Sequence, residues 1–317
     1  MIDYKNSAGH AAPIPLPRHV PAGWLIENSA VEPVSVLGDT RVLVSSIATP
    51  SNATVGSMCF YQHGGPTPVT SMASLIVAPY PLSLHPTQCG IIVSDPRSWV
   101  ADALELLLPK THGIDPTALV GKNVSIGSNV SIGPYAVLGD GVSVGDDTVI
   151  GPHVYIHGGT AIGHRCIVEA NTTIGSAGFS HFRGNTDHMY TFPHLARVMI
   201  GDDVSIGANT VIVRGMLRDT IIGSGVKIGN LCNIGHECRL LDHTTLTSGV
   251  TLGGTVEAGV GSDVGLGASV KHHIHIGAHA RVGMGSAVTS AVTDNEGVFG
   301  VPARKLRTMR PLTWPNR

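Results

Sequence analysis

The chain has 317 residues, room for two domains, with a formal net charge of −2, 13% charged residues and 4% aromatics. That near-neutral balance, with no Lys/Arg cluster, leaves no electrostatic footprint for a nucleic-acid partner. No continuous apolar run is long enough for a transmembrane helix, and the first thirty residues lack the apolar centre of a signal peptide, so a cytoplasmic protein with no integral membrane segment is expected.

Residues 1–30 are rich in proline (Pro13, Pro15, Pro17, Pro21) and show no period, which predicts an extended arm. From 31 to 110 the pattern is mixed and predicts a small α/β domain. Short β-type runs fall at Val34–Leu37, Val42–Ile47, Leu75–Val77 and Gly90–Val93. A helix follows over Arg97–Leu108, with Asp95 as N-cap, Pro96 at the first helical position, and Trp99, Leu104 and Leu107 on its apolar side.

The domain at 111–295 counts in sixes. An aliphatic residue recurs at every sixth position from Val120 to Ile174, again from Ile200 to Ile212, and again from Ile222 to Val288. Of these 25 positions 24 are Ile, Leu or Val, and 18 are followed by Gly. Neither the 3.6-residue period of a helix nor the two-residue period of a strand gives six; the rungs of a parallel β-helix do. Three hexads make one coil, so residues 18 apart stack about one strand spacing, ~4.8 Å, from each other. Gly after the aliphatic residue suits a corner that a Cβ would crowd.

Two interruptions break the count. The longer, an inserted loop at 176–199, carries Phe179, His181, Phe182, Arg183, Tyr190, Phe192 and His194 in a chain poor in aromatics. Long insertions in a strict solenoid bind ligands or pack on a neighbouring subunit, which makes Phe179, Phe182 and Arg183 candidate substrate contacts. The shorter is a four-residue slip around Arg214–Asp219. Residues 296–317 form a short C-terminal tail without a long amphipathic helix. The five cysteines are scattered and form no C-x-x-C pair, which predicts reduced thiols.

Register singles out a few of the seventeen histidines. His236 stands two places after the inward Ile234, at a corner; adding 18 gives Gly254, and adding 36 gives His272. An imidazole can take the proton of an attacking amine, and a free glycine N–H can hold the oxyanion of a tetrahedral intermediate. Glu237 is placed to orient His236. Against this stands the plainer reading of solvent-exposed corner histidines without a role. A zinc site would need the dense His272, His273, His275 and His279 to converge. In strand-like backbone His272 and His273 point apart, so no metal is expected. No serine nucleophile, Cys–His pair or phosphate-cradling loop is evident.

The hexads, together with IGSAGFSHFRGN, VRGMLRDTIIGSGVKIGNLCNIGHE and the upstream GIIVSDPRSWVADAL, resemble the UDP-3-O-acylglucosamine N-acyltransferases of lipid A synthesis over roughly residues 33–290. The resemblance implies a mainly β protein built as a left-handed parallel β-helix, a homotrimer, a cleft site between neighbouring coils, and a nucleotide-binding role for the α/β domain. By position it makes His236 the general base and Asn230 an acceptor-site residue. Gly254 becomes the amide facing the thioester oxygen, with a second histidine at His272 or His273. Phe60 is matched to an aromatic that stacks on uracil. The implied reaction moves an acyl group from a thioester, carried by acyl carrier protein or CoA, to the amine of a nucleotide-linked aminosugar, with no bound cofactor. Where the family has polar residues after the stacking aromatic, this chain has QHGGP. Its FGVPARKL ending and its IGHECRL segment look like the acetyl-CoA-dependent N-acetyltransferases of nucleotide-linked aminosugars, an alternative with a short acyl group. Two further classes are a zinc-dependent β-helix enzyme of carbonic-anhydrase type and a non-catalytic trimeric scaffold.

Overall fold

The computed structural model describes residues 12–62, 71–108, 112–185, 188–302 and 304–305. The chain divides into two units at the boundary between Lys110 and Thr111.

The first unit is a six-stranded mixed sheet with two helices. In chain order its elements are β1 (Ile14–Pro21), α1 (Ala22–Asn28), β2 (Ser35–Gly38), β3 (Leu43–Ile47), β4 (Ser57–Phe60), β5 (Leu75–Ala78), β6 (Cys89–Ile92) and α2 (Pro96–Leu107). The sheet order is β1-β3-β4-β5-β6-β2, parallel in the middle and antiparallel at both edges. The central β5 is buried along its whole length, so its run of Leu75, Ile76 and Val77 reads as continuous rather than alternating. Helix α2 begins as the sequence predicts: Asp95 accepts from the N–H groups of Arg97 and Ser98. Its buried side holds Trp99, Val100, Ala103 and Leu107, with Leu104 packed at the margin.

The expected arm at 1–30 is corrected from residue 14 onward; residues 1–11 lie outside the described residues. Pro15, Pro17 and Pro21 sit on an edge strand, β1, where a missing N–H costs no ladder bond, while Leu16, Val20, Ala22 and Leu25 enter the core. Proline at an edge breaks the alternation that reveals a strand. Strand β4 lies outside the β-type runs of the sequence; its first three residues are buried and Phe60 is partly exposed.

The second unit is a solenoid whose strands form three sheets of 11, 9 and 8 strands. Regular coils pair residues 18 apart, as in Ile132 with Ile150 and Leu252 with Val270. Across the long insertion the spacing becomes 38, pairing Ile162 with Ile200; across the slip it becomes 22, pairing Ile206 with Ile228. Each rung sends two side chains inward, not one. The aliphatic residue is the larger, and the residue two places earlier is small: Val142, Thr148, Cys166, Thr210, Cys232, Cys238 and Ala268 are all buried. All five cysteines are buried and unpaired.

Glycine after the aliphatic residue answers to the next coil rather than to its own turn. A Cβ at Gly253 would stand 2.5 Å from the backbone N of His272. The left-handed residue comes two places later, with φ between 54° and 63° in non-glycine cases such as Asn123, Glu237, Thr255 and His273. The residue between them often ties coil to coil. Asp140 accepts from Lys122 N–H at 2.7 Å, Asn230 from Ala208 N–H at 2.8 Å, and Asp242 from Ser224 N–H at 2.8 Å.

The solenoid also extends past 295. Gly297–Phe299 pairs with Arg281–Val282, burying Val298, and Arg304–Lys305 returns antiparallel. The last coil spans 16 residues, Val282 to Val298, and this shortening hides it from a count of six. The rest of the tail, from 306 on, lies outside the described residues.

Candidate active site

Three corners of successive coils stack His236, Gly254 and His272 through backbone bonds. Thr255 N–H donates to His236 O at 2.8 Å, and His273 N–H donates to Gly254 O at 3.0 Å. All three corners open on one cavity of about 630 Å³. The insertion's first residues, Ser176, Ala177, Gly178 and Phe179, also line it, as do Val211, Val213, Asn233 and Leu252.

This column occupies the register slot that at several other corners ties coils together. Gly254 has no side chain to cap the His236 N–H, and His272 does not cap Gly254. Among the described residues neither the His236 nor the Gly254 N–H finds a hydrogen-bond partner. The Gly254 N–H therefore remains a donor on the cavity wall. A side chain there would displace the base: a Cβ would fall on Nε2 of the His236 ring. The opposite ring nitrogen of His236, Nδ1, is buried without a hydrogen bond.

Glu237 does not orient that ring directly. Its Oε2 stands 3.9 Å from His236 Nδ1, beyond hydrogen-bond reach. Oε1 instead accepts from the N–H groups of Leu217 and Arg218, both at 3.0 Å, and the Arg218 guanidinium approaches Oε2 at 3.5 Å. The four-residue slip thus folds onto Glu237, which lines a second cavity of about 430 Å³ with Arg218, Arg239 and Glu257. Burial pushes the Glu237 pKa up; the two backbone donors, Arg218 and His236 outweigh it and hold the carboxyl below its usual range.

His272 and His273 do not point apart. They form a turn with His273 at φ 60°, which departs from strand geometry, and both line the cavity with ring centroids 5.3 Å apart. Phe179 lines the cavity while 81% exposed. Phe182 and Arg183 lie instead on a hairpin, His181–Arg183 with Met189–Thr191, where Phe182 stacks on Tyr190. Asn230 stands one corner away from His236, its side-chain oxygen engaged by Ala208. Phe60 ends β4 in the first unit, packed against that unit's core; of QHGGP, only Gln62 lies within the described residues.

Two neighbours of His236 escape the periodic reading. Asn233 is the outward residue of the strand before the corner, in line with Val211 and Thr251. Reading that outward column would have found it. His194, from the insertion, is the one histidine buried among the described residues, and its ring stands 5.7 Å from that of His236. Burial lowers its pKa, His236 and Arg214 add to this, and Glu237 opposes. No repeat signals it, because the insertion is out of register.

Cys238, two residues from His236, offers no nucleophile: burial pushes its thiol up to about 12. Among the described residues no cluster of three or more His, Cys, Asp or Glu side chains could hold a metal ion. No described helix is long and apolar enough to cross a membrane.

Known proteins match this architecture. The bacterial transferase hexapeptide model matches residues 141–176, and the hexapeptide repeat of succinyl-transferase matches 118–151. UDP-3-O-acylglucosamine N-acyltransferase from Coxiella burnetii is 40% identical over 163 residues, covering 45% of this chain and 48% of that protein. The enzyme of that name from a Caulobacter species is 31% identical over 154 residues, 48% of this chain and 45% of its own. The likeness to the UDP-3-O-acylglucosamine N-acyltransferases holds. The chain spans about half the length of the curated relatives it matches. Among solved structures, UDP-N-acetylglucosamine O-acyltransferase from Moraxella catarrhalis is 25% identical with a TM-score of 0.56, covering 61% of this chain and 73% of that one.

Proposed function

We propose that the protein is an N-acyltransferase that moves an acyl group from a thioester to the amine of a nucleotide-linked aminosugar. The observation that carries this is one cavity wall holding the His236 ring, the unpartnered Gly254 N–H and the His272–His273 pair. The names of the matched relatives supply the substrate class.

In this reading the acceptor amine attacks the thioester carbon while His236 Nε2, the nitrogen lying over Gly254, takes its proton. The carbonyl oxygen becomes an oxyanion and receives the Gly254 N–H. Collapse of the intermediate breaks the C–S bond, and the imidazolium returns the proton to the departing thiolate. His272 and His273 flank the donor end. A homotrimer, with the cavity finished by a neighbouring chain, and a cytoplasmic location belong to the same proposal.

His236→Ala should lower kcat by about 10²–10⁴-fold, the usual worth of a positioned acid–base group. A variant with unchanged turnover removes His236 from the chemistry. Running an acyl carrier protein thioester and a CoA thioester against one UDP-aminosugar identifies the donor.

A further inference from the structure

His194 stands beside this site and has no part in the reaction scheme. It arrives from the insertion, sixteen residues after Gly178, whose N–H donates to its Nε2 at 3.3 Å. That bond occupies the Nε2 lone pair and so places the ring proton on Nδ1. A Cβ at Gly178 would stand 3.2 Å from His194 Nε2 and 2.7 Å from Val213 Cγ1, so His194 and Val213 together seat the cavity wall formed by the insertion. On its other side His194 meets the His236 ring edge to face, centroids 5.7 Å apart and planes at 74°.

The His236 ring lacks any other anchor of this kind. Its Nδ1 has no hydrogen bond, and the nearest carboxylate is 3.9 Å away. Histidines that serve as bases are ordinarily held by an acceptor on the far nitrogen. Here the ring is held by packing, between His194 and the bare backbone of Gly254.

We propose that His194 is a positioning residue for His236, fixing the orientation of the base by ring-on-ring contact while clamping the insertion's wall through Gly178. This rests on the reading of His236 as general base. Burial lowers the His194 pKa, which disfavours a second positive charge beside a ring that must itself become cationic during turnover.

The test compares His194→Ala and His194→Phe with His236→Ala, using a UDP-aminosugar and a thioester donor. His194→Ala should reduce kcat at least tenfold and leave KM for the acceptor within about threefold, since a misplaced group about 1 Å off costs up to 10²-fold. His194→Phe keeps the ring and should recover most of kcat. Wild-type kcat in His194→Ala, or an equal loss in His194→Phe, overturns the proposal. If His236→Ala is itself fully active, the general-base reading falls instead. Crystal structures of the His194→Ala variant answer without substrate: the His236 ring turned off Gly254 supports the inference, and a ring still in place overturns it.

Discussion

Gly254→Ala isolates the geometry on which the proposed chemistry depends. A methyl at that position would lie 2.5 Å from His236 Cε1 and 2.8 Å from Cδ2. Carbon atoms settle at about 3.5–4.0 Å, so the imidazole must retreat by about 1 Å. The ring is held by packing rather than by a hydrogen bond, so it can move without unfolding the coil. In the proposed reaction its displacement costs proximity to the acceptor amine, for which a shift of this size is worth about 10²-fold in rate, or about 2.7 kcal/mol of barrier. The expected outcome is kcat lowered about a hundredfold, with a thermal midpoint close to that of the parent. Steady-state kinetics with thermal unfolding on the same preparation reads both quantities. Unchanged kcat would show that neither the ring over Gly254 nor the amide beneath it contributes to turnover.

Other expectations follow from the same coordinates. Ile156→Ala removes a fully buried rung side chain and should destabilise the solenoid by about 2–5 kcal/mol in denaturant unfolding; a loss below about 1 kcal/mol would contradict the packing described. The lowered pKa of Glu237 gives stability that is present above the ordinary glutamate range and disappears as pH falls through the folded value. Glu237→Gln should thus lower the melting midpoint at neutral pH, and the gap from the parent should narrow below about pH 4; a gap independent of pH would mean that the charge is not what the slip binds. His272→Asp should supply the missing cap to the Gly254 N–H, as Asp140 does for Lys122 at 2.7 Å. That variant should melt higher than the parent and lose about 10²-fold in kcat, the worth of one oxyanion donor, and unchanged kcat would remove the Gly254 amide from the mechanism.

The solenoid was legible because one energetic demand repeats. Every rung must bury an aliphatic residue, and every corner must clear the backbone of the next coil, so Ile, Leu or Val followed by Gly recurs at fixed spacing. Where that demand is met with a different count, the reading stops early: the sixteen-residue coil ending at Val298 still buries that valine. The edge strand β1 was hidden for the opposite reason. Its prolines are tolerated by an unpaired edge and erase the pattern that a paired strand would show.

The column His236–Gly254–His272 could be read for the same reason as the rungs, since stacking at 18 residues follows from regular coils alone. What the count could not reveal is why that column is available for chemistry. Elsewhere Asp140, Asp146, Asn230 and Asp242 fill the same slot and bind the N–H of the coil before. Gly254 and His272 accept no such bond, although His164 in the same slot does from Asp146 at 2.9 Å, and these unmade bonds leave backbone donors open to a ligand at a local cost in stability. The insertion then adds Gly178 to the cavity wall and sets His194 beside the His236 ring, contacts that depend on a path through space which no periodicity encodes. The repeat therefore sets where the His236 corner lies, while the two breaks in the repeat supply its irregular neighbours, the insertion beside the His236 ring and the slip folded onto Glu237.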